Sequence, residues 1–141
     1  MKYHRIFVGA MIILATVGFF VAFFLTAEHY LGEVPPCSFL SGCEEVTTSE
    51  YAAVAGVPIS LFGAGYFLAV AALLLAHLQG YGRKLFQTAG VLVSAGAVIA
   101  VGLIYLQVGV LGAICIYCVT SDTISLLLFA LFILAWKTGK Q

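Results

Sequence analysis

Polar residues in this chain are gathered into short clusters, and the stretches between them are long and almost unbroken in apolar character. The apolar runs extend from about Ile6 to Ala27, Pro58 to Leu78, Phe86 to Leu111 and Ile116 to Trp136. Each reaches the roughly 20 residues that a helix needs to cross the hydrocarbon of a bilayer. Open strands are excluded, because an unpaired sheet edge cannot sit in lipid. The chain is also too short, and too uniformly apolar, for a barrel of alternating strands. The pattern predicts an all-α membrane protein: a four-transmembrane-helix bundle, one domain over 1–141, with a loop over 28–57 between the first two helices.

Composition agrees. Of 141 residues, 63% are hydrophobic and 9% charged, against about 25% charged in an average soluble domain. A soluble fold of this size buries only about two-thirds of its surface and could not hide so much apolar area. A disordered chain is excluded on the same ground. Six Lys+Arg balance six Asp+Glu, so no basic excess is available for phosphates and no nucleic-acid partner is expected.

Charge then orients the bundle. Lys2 and Arg5 precede the first span, Arg83 and Lys84 separate the second from the third, and Lys137 and Lys140 follow the fourth. In a four-span protein these places share one face, and positive loops stay in the cytoplasm. Glu28, Glu33, Glu44, Glu45 and Glu50 fall in the loop on the other face, with Asp122 near the start of the fourth span. Both termini are expected to be cytoplasmic, in a multi-pass protein of the plasma (inner) membrane. The first run is longer than a signal-peptide core, and Leu25-Thr26-Ala27 is a poor cleavage site. Small residues such as Gly63, Gly90, Ser94 and Gly96 would let helices approach closely. Tyr3, Tyr81 and Trp136 mark one interface; Tyr30, Tyr51 and Tyr117 mark the other.

The four cysteines carry the chemistry. Cys37 and Cys43 form C-x5-C in the loop, and Cys115 and Cys118 form C-x2-C at the start of the fourth span. Both pairs fall on the extracytoplasmic, oxidising side, where disulfides persist. The second pair sits at a helix N-terminus, whose dipole favours a thiolate. Its short ring suits reversible exchange better than stapling. Two dithiol pairs on one face suggest a relay: a soluble dithiol reduces the loop disulfide, a loop thiol attacks the C-x2-C disulfide, and the product reduces something in the membrane. Contact between the pairs would result if Val46–Ala55 lies on the membrane as a short extracytoplasmic surface helix, with Val46, Tyr51 and Val54 facing down. Two static disulfides, a four-cysteine zinc site and a relay between proteins alone are the competing readings.

In these residues the chain resembles the vitamin K epoxide reductase family, in its bacterial and archaeal single-domain branch. The resemblance rests on Cys37-x5-Cys43-x5-Ser49-x-Tyr51, on Gly56-Val57-Pro58-Ile59-Ser60-Leu61-Phe62-Gly63, and on Cys115-Ile116-Tyr117-Cys118 with Val119-Thr120-Ser121 after it. Dsb-type quinone-linked oxidases carry their C-x2-C in the first extracytoplasmic loop; here it comes second. The resemblance implies a helix bundle around a quinone, ubiquinone or menaquinone, supporting disulfide formation in exported proteins. Cys118 would face the quinone, Cys115 would exchange with the loop, and Cys37 and Cys43 would shuttle electrons from the partner. Ser49 would position the site, and Phe62, Tyr117 and Asp122 would lie by the quinone.

Many relatives carry a fused thioredoxin-like domain. This chain reaches Gln141 without one, so a separate extracytoplasmic thioredoxin-like thiol oxidase is the expected partner. The vertebrate branch places an Asn and a Tyr near the quinone, where this chain has Ile59 and Asp122. Plain quinone reduction is therefore expected rather than epoxide reduction. Asp122, one turn beyond Cys118, would either relay protons or be an interfacial acid favoured by the helix N-terminus. Tyr105, Gln107 and Thr120 would either bond quinone oxygens or join helices. His29 is expected in the solvated loop and His77 at an interface, neither with a partner at metal-ligand spacing.

Overall fold

The computed structural model describes residues 2–32, 53–54, 56–112 and 114–139. Helix α1 spans Lys2–Leu31, α2 Ile59–Leu78, α3 Arg83–Tyr105 and α4 Ile116–Gly139. A π-helical turn, Leu106–Leu111, continues α3. All four spans are long and apolar enough to cross a membrane. Strands β1 (Ala53–Val54) and β2 (Val57–Pro58) form a small antiparallel hairpin ahead of α2.

Two expectations at the first loop need correction. Helix α1 continues past Ala27 through Glu28, His29 and Tyr30 to Leu31. Gly32, at φ 73°, ends it, and its N–H donates to the His29 carbonyl at 3.3 Å. A glycine is suited to that left-handed backbone. The expected surface helix over 46–55 does not reach its end, because Ala53–Val54 is extended and paired with Val57–Pro58. Gly56 turns the hairpin at φ 83°, and proline at 58 biases Val57 toward extended backbone. The rest of that expected helix, with Cys37, Cys43, Ser49 and Tyr51, lies outside the described residues.

The helices close into a ring in which α1 and α3 each pack against both α2 and α4. On α1 the buried residues Val8, Met11, Ala15, Gly18, Ala22 and Leu25 recur at intervals of three and four. That spacing places them on one stripe, the pattern of shallow-angle helix packing. Gly18 admits the Phe67 ring, since a Cβ there would lie 2.7 Å from it. Large apolar side chains also cover the outside, with Val98 74% exposed. In water such a surface would aggregate; in lipid it is solvated.

At one end of the bundle the imidazoles of His4 and His77 meet, Nε2 to Nε2, at 3.0 Å. His4 Nδ1 lies 2.9 Å from the Ala135 carbonyl and His77 Nδ1 lies 3.0 Å from the Gly82 carbonyl. Phe86 packs against both rings, and the Arg83 guanidinium lies 5.3 Å above Trp136. These contacts bring the start of α1, the α2–α3 link and the end of α4 together. Lys2, Arg5, Arg83, Lys84 and Lys137 thus share one end of the molecule, and Cys115 and Cys118 stand at the other.

Candidate active site

Cys115 immediately precedes the first residue of α4, Ile116. The Val119 N–H donates to its carbonyl at 2.9 Å, and the Cys118 N–H reaches its Sγ at 3.4 Å. The Cys115 sulfur thus takes the part of an N-capping acceptor, at the positive end of the helix dipole. Both cysteines are free thiols. Hydrogen bonding from the Cys118 thiol holds the Cys115 thiol below its usual range, at about 7. The Cys118 and Tyr117 N–H groups assist, and burial opposes them.

The two sulfurs face different surroundings. Cys115 is 0% exposed. Cys118 lines a cavity of about 350 Å³ between all four helices. Ala22 and Leu25 of α1, Phe62 and Phe67 of α2, and Ile99 and Leu103 of α3 supply apolar walls. Gly96 allows the Tyr66 ring to pack on the α3 backbone, because a Cβ there would collide with that ring. Nearby, Thr26 Oγ1 shares a hydrogen bond with Ser60 Oγ at 2.9 Å, tying α1 to α2.

The π-helical turn delivers one more polar group. Gln107 is 3% exposed, and its Oε1 accepts the Cys115 N–H at 2.9 Å. That bond fixes the orientation of the amide, and Nε2 then points to Asp122 Oδ2 at 3.5 Å. A single side chain therefore orients the backbone of one thiol and the carboxylate one turn beyond the other. The extra residue of a π-turn shifts the register of the helix faces on either side of it, and Gln107 lies within the turn. Polarity alone leaves Gln107 open between two readings, because it does not say which neighbour a side chain meets.

The residues singled out from sequence separate into three groups. Phe62, Cys118, Gln107 and Asp122 come together on the cavity. Asp122 is 6% exposed, on the inner wall rather than at a solvated interface. Tyr117 is not among the lining residues; its ring lies 5.4 Å from that of Phe24 on α1. Tyr105 is 67% exposed on the outer surface, and the exposed Thr120 donates to the Ile116 carbonyl of its own helix at 2.7 Å; neither lines the cavity. Cys37, Cys43 and Ser49 lie outside the described residues. His29 is helical and borders the cavity instead of standing in a loop. Sequence reasoning gave no role to Tyr66 or Ser121 on the wall and missed the pairing of His4 with His77. The three-residue step from Cys118 to Ser121 is a signal for Ser121, whereas no spacing signals Tyr66 or the histidine pair. Among the described residues no three His, Cys, Asp or Glu side chains converge as a metal site would require.

Three features of the cavity fit a quinone: apolar walls, a thiol at one side and two buried hydroxyls, those of Tyr66 and Ser121, without partners. A family model described as the vitamin K epoxide reductase family matches residues 9–133 of the chain. No curated protein matches it.

Proposed function

The chain belongs to the vitamin K epoxide reductase family and is a membrane thiol–disulfide oxidoreductase; we propose that it carries electrons from an extracytoplasmic thioredoxin-like protein to a membrane quinone. The observation that carries this reading is the division of the C-x2-C pair. Cys118 opens onto an apolar cavity, and Cys115 is sealed from solvent. A sealed thiol cannot be reached by a soluble protein's dithiol. It can be reached by a cysteine of the same chain that packs against it, the part given to Cys37 and Cys43.

Each exchange conserves atoms and electrons. The partner's dithiol reduces the Cys37–Cys43 disulfide and leaves as a disulfide. A loop thiolate then attacks Cys115 Sγ, breaking the Cys115–Cys118 bond and releasing Cys118. The second loop thiol attacks the mixed bridge and releases Cys115. A depressed pKa makes Cys115 a good leaving group at that step. Two electrons and two protons now reside on Cys115 and Cys118. Phe62 and the apolar walls exclude water and hold a ring beside Cys118 Sγ. Asp122, oriented by Gln107, passes protons on the cavity side. A bound quinone supplies the acceptor for the electron pair and the protons.

The end carrying Lys2, Arg5, Arg83, Lys84 and Lys137 faces the cytoplasm under the positive-inside rule, which sets the dithiol on the extracytoplasmic side of the plasma membrane. Reduced, purified protein mixed with a short-tailed ubiquinone should regain its Cys115–Cys118 disulfide as the quinone absorbance falls. If the dithiol survives, the quinone reading is wrong. Cys118→Ala should abolish turnover. Cys37→Ala and Cys43→Ala should spare oxidation of a small dithiol but lose oxidation of a thioredoxin-like protein. Equal loss in all of these variants would contradict the order of the relay.

A further inference from the structure

Tyr66 on α2 and Ser121 on α4 each bury a hydroxyl oxygen that has no hydrogen-bond partner. Both residues line the cavity beside Cys118. Ser125 lies beside Tyr66, without a hydrogen bond of acceptable geometry between them. Hydroxyls elsewhere in the helices behave differently: those of Thr16, Thr26, Ser94 and Thr120 donate to the carbonyl four residues back. That bond is the ordinary way for Ser or Thr to be satisfied within a helix. Ser121 does not make it.

An unpaired buried hydroxyl weakens a fold, and Phe and Ala would fill the same positions without the penalty. Two such groups on one cavity indicate an occupant that supplies the missing partners. Water is a poor candidate, because a stable buried water needs several polar contacts and these walls are mostly apolar. A planar ring bearing carbonyl oxygens supplies them directly. A hydroxyl both donates and accepts, so each can hold a carbonyl oxygen and also the hydroxyl that this oxygen becomes on reduction. Ser121 lies three residues after Cys118, on the same helix face, and Tyr66 comes from a different helix. The occupant would be held from two directions.

We propose that the Tyr66 and Ser121 hydroxyls recognise the oxygens of a carbonyl-bearing ring in this cavity and discriminate it from a plain hydrocarbon. This rests on the quinone reading above and names the groups that give that site its specificity. Tyr66 and Ser121 are binding residues here, and the sulfur chemistry stays with Cys118.

The test uses full-length protein in lipid nanodiscs with decylubiquinone as the probe and decylbenzene as a carbonyl-free control. Tyr66→Phe and Ser121→Ala should each raise the KM for decylubiquinone about fivefold to tenfold, the worth of one hydrogen bond. Affinity for decylbenzene should be unchanged. The empty variants should melt no lower than the parent, because the lost hydroxyl was unpaired, yet their thermal shift with decylubiquinone should shrink. A variant that melts lower when empty would show a structural role for its hydroxyl and overturn the proposal at that position. An unchanged KM and an unchanged ligand shift in both variants would overturn it altogether. If the parent binds decylubiquinone in preference to decylbenzene but its dithiol does not reduce the quinone, the function proposed above fails while carbonyl recognition stands.

Discussion

At Cys115 the chain brings three influences to one sulfur: a thiol neighbour, backbone N–H donors and a helix N-terminus. The hydrogen bond from the Cys118 thiol is the largest, burial opposes it, and with the Cys118 and Tyr117 N–H groups the balance holds the thiol at about 7, below the ordinary value of about 8.5. The folded state therefore binds this proton less tightly than the unfolded chain does. The resulting stability is complete above the ordinary thiol range and is lost as pH falls through about 7. In protein with Cys37 and Cys43 replaced by serine, thiolate absorbance should appear as pH rises through about 7. Cys118→Ala removes the donor, and the midpoint should move upward. A midpoint that stays in place would mean that the neighbouring thiol is not the cause. Cys115 is recognisable in the sequence from its spacing to Cys118 and its place before an apolar run. The Gln107 amide on its N–H is not, because eight residues and a π-turn separate the two.

Among the helices, glycine does two unlike things. On α3, a Cβ at Gly90 would collide with the Phe132 ring of α4, so this glycine sets how closely the two helices approach. Gly9 on α1 has nothing within 4 Å of its would-be Cβ. Gly90→Ala should therefore destabilise the protein by about 1–3 kcal/mol, the usual range for overpacking. Gly9→Ala should be neutral or stabilising by up to about 1 kcal/mol, from helix propensity. Thermal unfolding in detergent compares them, and equal melting temperatures would show that the α3–α4 contact is not tight. The small residues are visible in sequence as a packing signal. Which of them touches a neighbour is hidden there, since that depends on the rotation of each helix about its axis.

Taken whole, the molecule is polar in charge and divided in chemistry along the bundle axis. Five described cations gather with the His4–His77 pair at one end, and the dithiol and cavity occupy the other half. The orientation proposed above makes a direct prediction. In intact cells, with the four native cysteines replaced by serine, a membrane-impermeant maleimide should label a cysteine introduced at Tyr30 and should not label one introduced at Tyr81, until the membrane is permeabilised. The opposite pattern would place the dithiol on the cytoplasmic side and remove the oxidising compartment on which the relay depends.

Four spans, their approximate limits, the common end of the cations and the C-x2-C pair at the head of α4 were all legible in the amino-acid order. Each is a property of run length or of near neighbours along the chain. The cavity, the outward turn of Tyr105, the meeting of His4 with His77 and the exposure of Cys118 but not Cys115 to the pocket were decided by tertiary structure alone. In a soluble protein the buried face of a helix announces itself by its apolar stripe. Here lipid makes the outer face as apolar as the inner one, and the stripe that would reveal each helix's rotation is largely erased. Only the packed bundle shows which side chains turn inward, and a site built from four helices exists nowhere but there.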